Sequence, residues 1–336
     1  MQIAPVLQRT ALSLAAATLA AGTTTASAQN LAGEIVVDGS STVYPITQLV
    51  AEIFRADGNE DVNIAVSFSG TGGGFKKFAA GETHVSDASR PIKQKELDAL
   101  SSAGIEFIEI PVAYDGLTIA VNRDNTWVDQ LTVEQLQTIF LASNKEEVTT
   151  WRDVNAAWPN IEIKFFIPGT DSGTFDYFKE VVVAKAEDAI RDDVTPSDND
   201  HDLVRGISGD RGGIGFFGCA YFFENEEHLK AVPIVNDAGD AIAPSVETIE
   251  DGSYNPFARP LFIYVREDAL DRAEVAAFIE FYLDEGPELA EEVGYVRLPD
   301  VIYDRARTNV ENRRTGTQYL DADGNKVEGP VTEVYQ

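Results

Sequence analysis

Cysteine is almost missing from these 336 residues: Cys219 stands alone, so no internal disulfide can form. Histidine is nearly as scarce, and positions 84, 201 and 228 do not make a zinc-ligand spacing. Disulfide scaffolds and zinc chemistry are both excluded. Positive charge is in short supply, with 26 Lys and Arg against 56 Asp and Glu. The resulting net charge of −30 repels nucleic-acid phosphates and anionic lipid, so neither is an expected partner. Long apolar runs are missing too, since no stretch reaches the ~18 residues that a membrane helix needs. There is no internal repeat and no low-complexity linker. What remains, 44% hydrophobic and 24% charged, is an ordinary globular chain with room for two packed domains.

At the N-terminus Arg9 precedes the small apolar run from Ala11 to Gly22, which leads to Ala26-Ser27-Ala28. That three-part order predicts a cleaved export signal over residues 1–28 and a mature chain in a bacterial periplasm. No cysteine near the cleavage point could carry a lipid, so no anchor is expected.

Beyond the leader, short β-rich runs alternate with helix-period runs. Glu34 to Asp38, Asn63 to Phe68, Ile105 to Pro111, Leu117 to Asn122, Ile161 to Ile167 and Ile214 to Phe217 are strand-like. Pro45 to Arg55, Phe75 to Ala80 and Phe175 to Ala186 are helical in period. The alternation predicts an α/β fold with a largely parallel sheet. Thr132 and Gln135 have capping-box spacing at the head of a helix ending at Phe140. A further helix is expected from Arg272 to Leu283, stopped by Gly286-Pro287. Two strand-like crossings, Ile110 to Asn122 and Phe257 to Arg266, predict a chain that leaves one lobe, builds another and returns. The expected division places 29–114 and 259–336 in lobe I and 115–258 in lobe II, with crossings near 111–117 and 254–262.

Three times a strand runs into a loop of Gly, Ser and Thr that opens a helix. The loops are Asp38-Gly39-Ser40-Ser41-Thr42-Val43, Ser69-Gly70-Thr71-Gly72-Gly73-Gly74 and Gly169-Thr170-Asp171-Ser172-Gly173-Thr174. One such loop is ordinary helix capping. Three present hydroxyls and unpaired N–H groups at positive helix ends, the chemistry of an oxyanion site. No Lys follows the glycines as in a nucleotide-binding P-loop, and Lys76 and Lys77 are expected on a solvated helix face.

A fourth stretch, Ser86-Asp87-Ala88-Ser89-Arg90-Pro91, offers a guanidinium and a carboxylate. Arg90 can give two donors to a tetrahedral oxyanion. Asp87 can accept a hydrogen bond from hydrogen phosphate and only repels sulfate, which carries no proton; a surface salt bridge between the two is the plain alternative. His84 and Cys219 lack partners at ligand spacing and are expected to be structural.

These motifs resemble those of the periplasmic phosphate-binding proteins of high-affinity phosphate transporters, in the cyanobacterial-type branch. Ser69 to Phe75, Ser86 to Ile92, Pro168 to Phe175, Gly212 to Phe217 and Gly294-Tyr295-Val296 carry the likeness together with the first loop, in order along the chain. The resemblance implies a two-lobed type II periplasmic-binding-protein (Venus-flytrap) fold with two hinge crossings. It implies a monomer that binds inorganic phosphate without chemistry or cofactor and delivers it to an ABC-transporter permease. It implies phosphate contacts from Ser41, Thr42, Val43, Thr71, Ser172, Gly173 and Thr174. The family's Arg four residues before the third-loop Ser is Pro168 here, which leaves Arg90 as the expected guanidinium. Alignment also sets Ser89, not Asp87, opposite the family's acceptor Asp.

Other readings stay open at this point. Another tetrahedral oxyanion, such as sulfate, molybdate or arsenate, could occupy the same loops, and a sensor without a permease would have the same sequence features. Asp171-Ser172-Gly173-Thr174 also has the form of an aspartic-protease signature, but Asp38-Gly39-Ser40 has the wrong order to be its mate.

Overall fold

The structure, a computed structural model, describes residues 31–170, 172–183, 188–197 and 199–336. The leader expected at 1–28 lies outside the described residues, as does Asp171. The first strands are β1 (Gly33–Gly39), β2 (Val62–Phe68), β3 (Val85–Ala88) and the long β4 (Phe107–Asn122). They are followed by β5 (Lys164–Pro168), β6 (Thr195–Ser197), β7 (Gly213–Gly218) and β8 (Leu229–Ala231). A small separate pair, β9 (Ile234–Val235) and β10 (Ala241–Ile242), precedes the returning strand β11 (Ala258–Arg266).

All but the small pair belong to one curled sheet of order β2-β1-β3-β11-β4-β7-β5-β6, with β8 paired to β4. The βα units expected from the alternation are present: β1 lies parallel to β2 and β3, and β5 parallel to β6 and β7. The sheet is nevertheless mixed, because β11 and β4 run antiparallel to their neighbours. The two strand-like runs at 105–111 and 117–122 are one strand. From Phe107 to Gly116 β4 pairs with β11, and from Leu117 to Val121 it pairs with β7. A single strand thus serves both halves of a two-lobed fold.

All sixteen residues of β4 are buried, which explains why it reads as a nearly unbroken apolar run. On one face of the first half, the helix Tyr44–Ala56 buries Ile46, Val50 and Phe54 at helical spacing. It packs on the helix Ala273–Glu292, with Phe54 edge-on to Phe278 at 5.5 Å. The Thr132 box forms as expected: Gln135 N–H donates to Thr132 Oγ1 at 3.2 Å and Thr132 N–H to Gln135 Oε1 at 3.0 Å.

One expected stop is overridden. The helix that opens at Ala273 runs through Gly286-Pro287 to Glu292. Pro287 has no N–H for the Leu283 carbonyl, a loss that normally breaks a helix. Here Arg307 Nη2 donates to that carbonyl at 2.8 Å, so the orphaned acceptor is satisfied from the neighbouring helix Asp300–Glu311.

Candidate functional site

β1 delivers the first loop to the C-terminal edge of the sheet, and the second loop reaches it because Gly39 and Gly74 lack side chains. A Cβ on Gly74 would lie 2.5 Å from Gly39 Cα. Ser69 N–H then bonds Gly39 O at 3.0 Å. Within the first loop, Ser40 N–H donates to Asp87 O at 2.9 Å and Thr42 N–H to Ser40 Oγ at 3.2 Å. In the second, Thr71 Oγ1 accepts from Ser89 N–H at 3.1 Å and lies 3.1 Å from Ser89 Oγ. Thr71 and Ser89 are therefore neighbours at the mouth of the helix Thr71–Ala79.

The third loop follows β5, and Ser172 caps the helix Gly173–Phe178 by accepting Thr174 N–H at 3.2 Å. This helix end meets the first loop directly. A Cβ on Gly173 would lie 2.7 Å from Thr42 Cα, and Ser41 Oγ donates to Asp176 Oδ2 at 3.2 Å. Ser41, Thr42, Ser172, Gly173 and Thr174 are thus brought together as expected, with Thr71 and Ser89 on the adjoining loop.

Two guanidinium groups stand by the loops, those of Arg90 and Arg259. Arg90 is committed to Glu96 by two hydrogen bonds of 2.9 and 2.7 Å and to Pro91 O at 3.0 Å. Burial would raise the Glu96 carboxyl, but Arg90 and the Lys93 backbone N–H together hold the group below its ordinary value. Arg90 Nη2 stays beside the second loop, 4.0 Å from where a Cβ on Gly72 would lie, while Arg259, on the returning strand β11, reaches the first loop. Its Nη2 donates to Thr42 Oγ1 at 3.2 Å, its Nε to Asp115 Oδ2 at 3.2 Å and its Nη1 to Glu180 Oε2 at 2.9 Å. The guanidinium stacks over Tyr177 with its carbon 3.6 Å from the ring centroid. Burial pushes the Asp115 carboxyl up, and the Arg259 charge opposes that rise. The sequence did carry a signal for this pair: each crossing strand holds one charge of opposite sign at the crossing itself, where the register sets Arg259 against Asp115.

Asp87 departs from its expected place as well. Its carboxyl group is completely buried, faces Thr47 one turn inside the first-loop helix, and has no hydrogen bond of ordinary length. Burial pushes it up to about 8, so it is protonated at neutral pH. The cause is the pleat of β3: Ser86 Oγ turns toward Gly74 on one face, which sends Asp87 beneath the helix on the other. Lys77 is not simply solvated, because its Nζ donates to Asp38 Oδ2 at 2.6 Å. Burial would raise Asp38, but bonds from Lys77, Ser69 and Ser67 hold it below its ordinary value. Cys219 is buried against Thr118 and pushed up to about 12, an unreactive thiol. His84 accepts Val36 N–H at 3.0 Å, and its other ring nitrogen lies against Arg272.

The geometry offers hydroxyls, helix N-termini and one buried guanidinium around the meeting point of three loops, a setting for a small oxyanion. Comparison with known proteins points the same way. A family model described as the PBP superfamily domain matches residues 21–285. SphX of Synechococcus elongatus is 46% identical over 285 residues, covering 85% of this chain and 83% of that protein. The phosphate-binding protein PstS of Staphylococcus saprophyticus is 41% identical over 281 residues, 83% of this chain and 85% of its own. Among solved structures, a possible phosphate binding protein from Planctomyces limnophilus superposes with a TM-score of 0.80 at 44% identity, covering 84% of this chain and 99% of that one. A putative phosphate ABC transporter substrate-binding protein from Clostridium perfringens, solved with bound phosphate, gives 0.52 at 25% identity over 80% of this chain and all of that one.

Proposed function

We propose that this chain, which belongs to the PBP superfamily alongside SphX and the PstS phosphate-binding proteins, binds inorganic phosphate between its two lobes and hands it to an ABC-transporter permease. The family is one of transport binding proteins, and closure here takes place with no chemical step. The observation that carries the reading is the meeting of Thr42, Gly173 and Arg259, which joins the first and third loops to β11 and, through Asp115, to β4.

Ser41, Thr42 and Val43 hold the anion from the first loop, with Thr71 and Ser89 beside them. Ser172, Gly173 and Thr174 close from the other lobe. Arg259 supplies the positive charge, held in place by Asp115, and Arg90 stays with Glu96. The acidic surface does not oppose this, because exposed charges beyond a Debye length of ~8 Å are screened while the buried guanidinium and helix ends are not. Discrimination against sulfate rests on acceptors in the site: Asp176 and the Asp115–Arg259 pair can take a hydrogen bond from hydrogen phosphate and only repel an anion without a proton. The leader at 1–28 would place the mature monomer in the periplasm.

Isothermal titration of the mature chain, stripped of co-purified anion, tests the proposal. Tight 1:1 binding of phosphate that persists in excess sulfate is expected. No heat and no thermal stabilisation by phosphate would overturn it.

A further inference from the structure

Thr42 is gripped at two polar atoms by residues that lie in none of the three loops. Arg259 holds its hydroxyl, and Tyr295 Oη donates to its backbone carbonyl at 2.6 Å from 253 residues further along the chain. The helix ladder does not compete for that carbonyl. Tyr44 N–H goes to Ser40 O, Pro45 has no N–H, and the Ile46 and Thr47 N–H groups both go to Val43 O. Burial holds the Tyr295 phenol well above its ordinary value, so it is a donor at any working pH.

In a trans peptide the carbonyl and the following N–H point in opposite directions. Tying the Thr42 carbonyl to Tyr295 therefore fixes the direction of the Val43 N–H, which makes no hydrogen bond within the protein among the described residues. The segment bearing Tyr295 is itself fixed to the crossing strand, since Tyr114 and Val296 exchange backbone bonds of 2.7 and 3.0 Å beside Asp115. Gly294 also lies against Tyr221 of the second half, where a Cβ would come within 2.7 Å of the ring. The segment touches the first loop, the crossing and the opposite lobe at once.

We propose that Tyr295 is a positioning residue for the anion: it orients the Thr42–Val43 peptide so that the Val43 N–H points at the ligand, and it ties that orientation to the crossing strand. The inference rests on the phosphate reading. Removal of the hydroxyl alone, Y295F, should weaken phosphate binding by about tenfold, the order expected when one preorganising hydrogen bond is lost. Y335F is the control, since Tyr335 is buried and its hydroxyl donates to Glu109 O at 2.9 Å, away from both the first loop and the segment that bears Tyr295. It should lose stability and keep its affinity.

Titrating phosphate into the 15N-labelled wild-type chain gives a readout that a purely structural role would not move. The Val43 amide should shift downfield on saturation, and the shift should shrink in Y295F. A Val43 amide that ignores phosphate in the wild-type chain would overturn the inference even if Y295F fails to fold. Equal affinities for Y295F and the wild-type chain would overturn it as well. If the wild-type chain itself does not bind phosphate, the functional proposal fails first and this inference falls with it.

Discussion

Arg259 on β11 and Asp115 on β4 stand opposite each other in the sheet register, joined by a 3.2 Å hydrogen bond next to the point where β4 changes partners. The pair sits at the root of both lobes while the other end of the guanidinium holds Thr42. Position in the sheet, and not closeness in sequence, brings Arg259 to the first loop.

The two guanidinium groups therefore separate experimentally. R259M should lower phosphate affinity by at least about a hundredfold, because a charge-assisted contact to an anion is lost outright. R90M should cost less than about fivefold in binding. R259M also leaves Asp115 buried without its counter-charge, a loss of about 3–5 kcal/mol in stability that the double variant R259M/D115N should largely restore. Titration calorimetry and urea unfolding distinguish the two effects, and equal binding losses in R259M and R90M would return the role to Arg90.

Asp87 makes stability depend on pH. It keeps its proton in the folded chain up to about pH 8, while in the unfolded chain it ionises near ~3.9. Between those values the folded state binds the extra proton, so this contribution is complete below the unfolded pKa and falls as pH rises through the folded one. The slope is up to about 1.4 kcal/mol per pH unit. Glu109, buried beneath Tyr264, Thr317 and Gln318 and pushed up by burial to about 7, adds a slope of the same sign. D87N should flatten the decline between pH 5 and 8 in guanidinium unfolding midpoints and leave phosphate affinity nearly unchanged. A variant with the wild-type slope would show that Asp87 does not hold the proton.

Gly173 should tolerate no side chain where it meets the first loop. Alanine there would press on Thr42 Cα, and overpacking of this kind costs about 1–3 kcal/mol. G173A is expected to melt lower than the wild-type chain and to bind phosphate roughly ten- to a hundredfold more weakly. Wild-type affinity in G173A would mean that the two loops do not approach this closely when the ligand is bound.

R307A should destabilise the chain by about 1 kcal/mol by stripping the Leu283 carbonyl of its donor. P287A restores a backbone N–H to that carbonyl, so R307A/P287A should recover most of the loss. Additive behaviour in this double-mutant cycle would sink the compensation.

Much of this was legible in the sequence because it is local. The strand-loop-helix recurrences, the Thr132 box and the Ser172 cap depend on residues a few positions apart, and they form where the spacing puts them. The Arg259 contact to Thr42 spans 217 residues and depends on a sheet register that no local pattern reveals. Asp87 differs for a smaller reason: two-residue alternation along β3 turns it under the helix, while its charge and its place near Arg90 in the sequence suggest a ligand group. The stop at Pro287 failed because the acceptor it strands is answered by Arg307, twenty-four residues away.

Because β4 passes uninterrupted from one half to the other and is buried along its length, the halves are joined here by continuous sheet and not by a tether. A loose linker would let the halves wander and charge each binding event the entropy of finding one another again. A shared strand leaves no such slack: Gly116 is laddered to β11 and the very next residue, Leu117, to β7, so the two halves are registered against each other through one backbone.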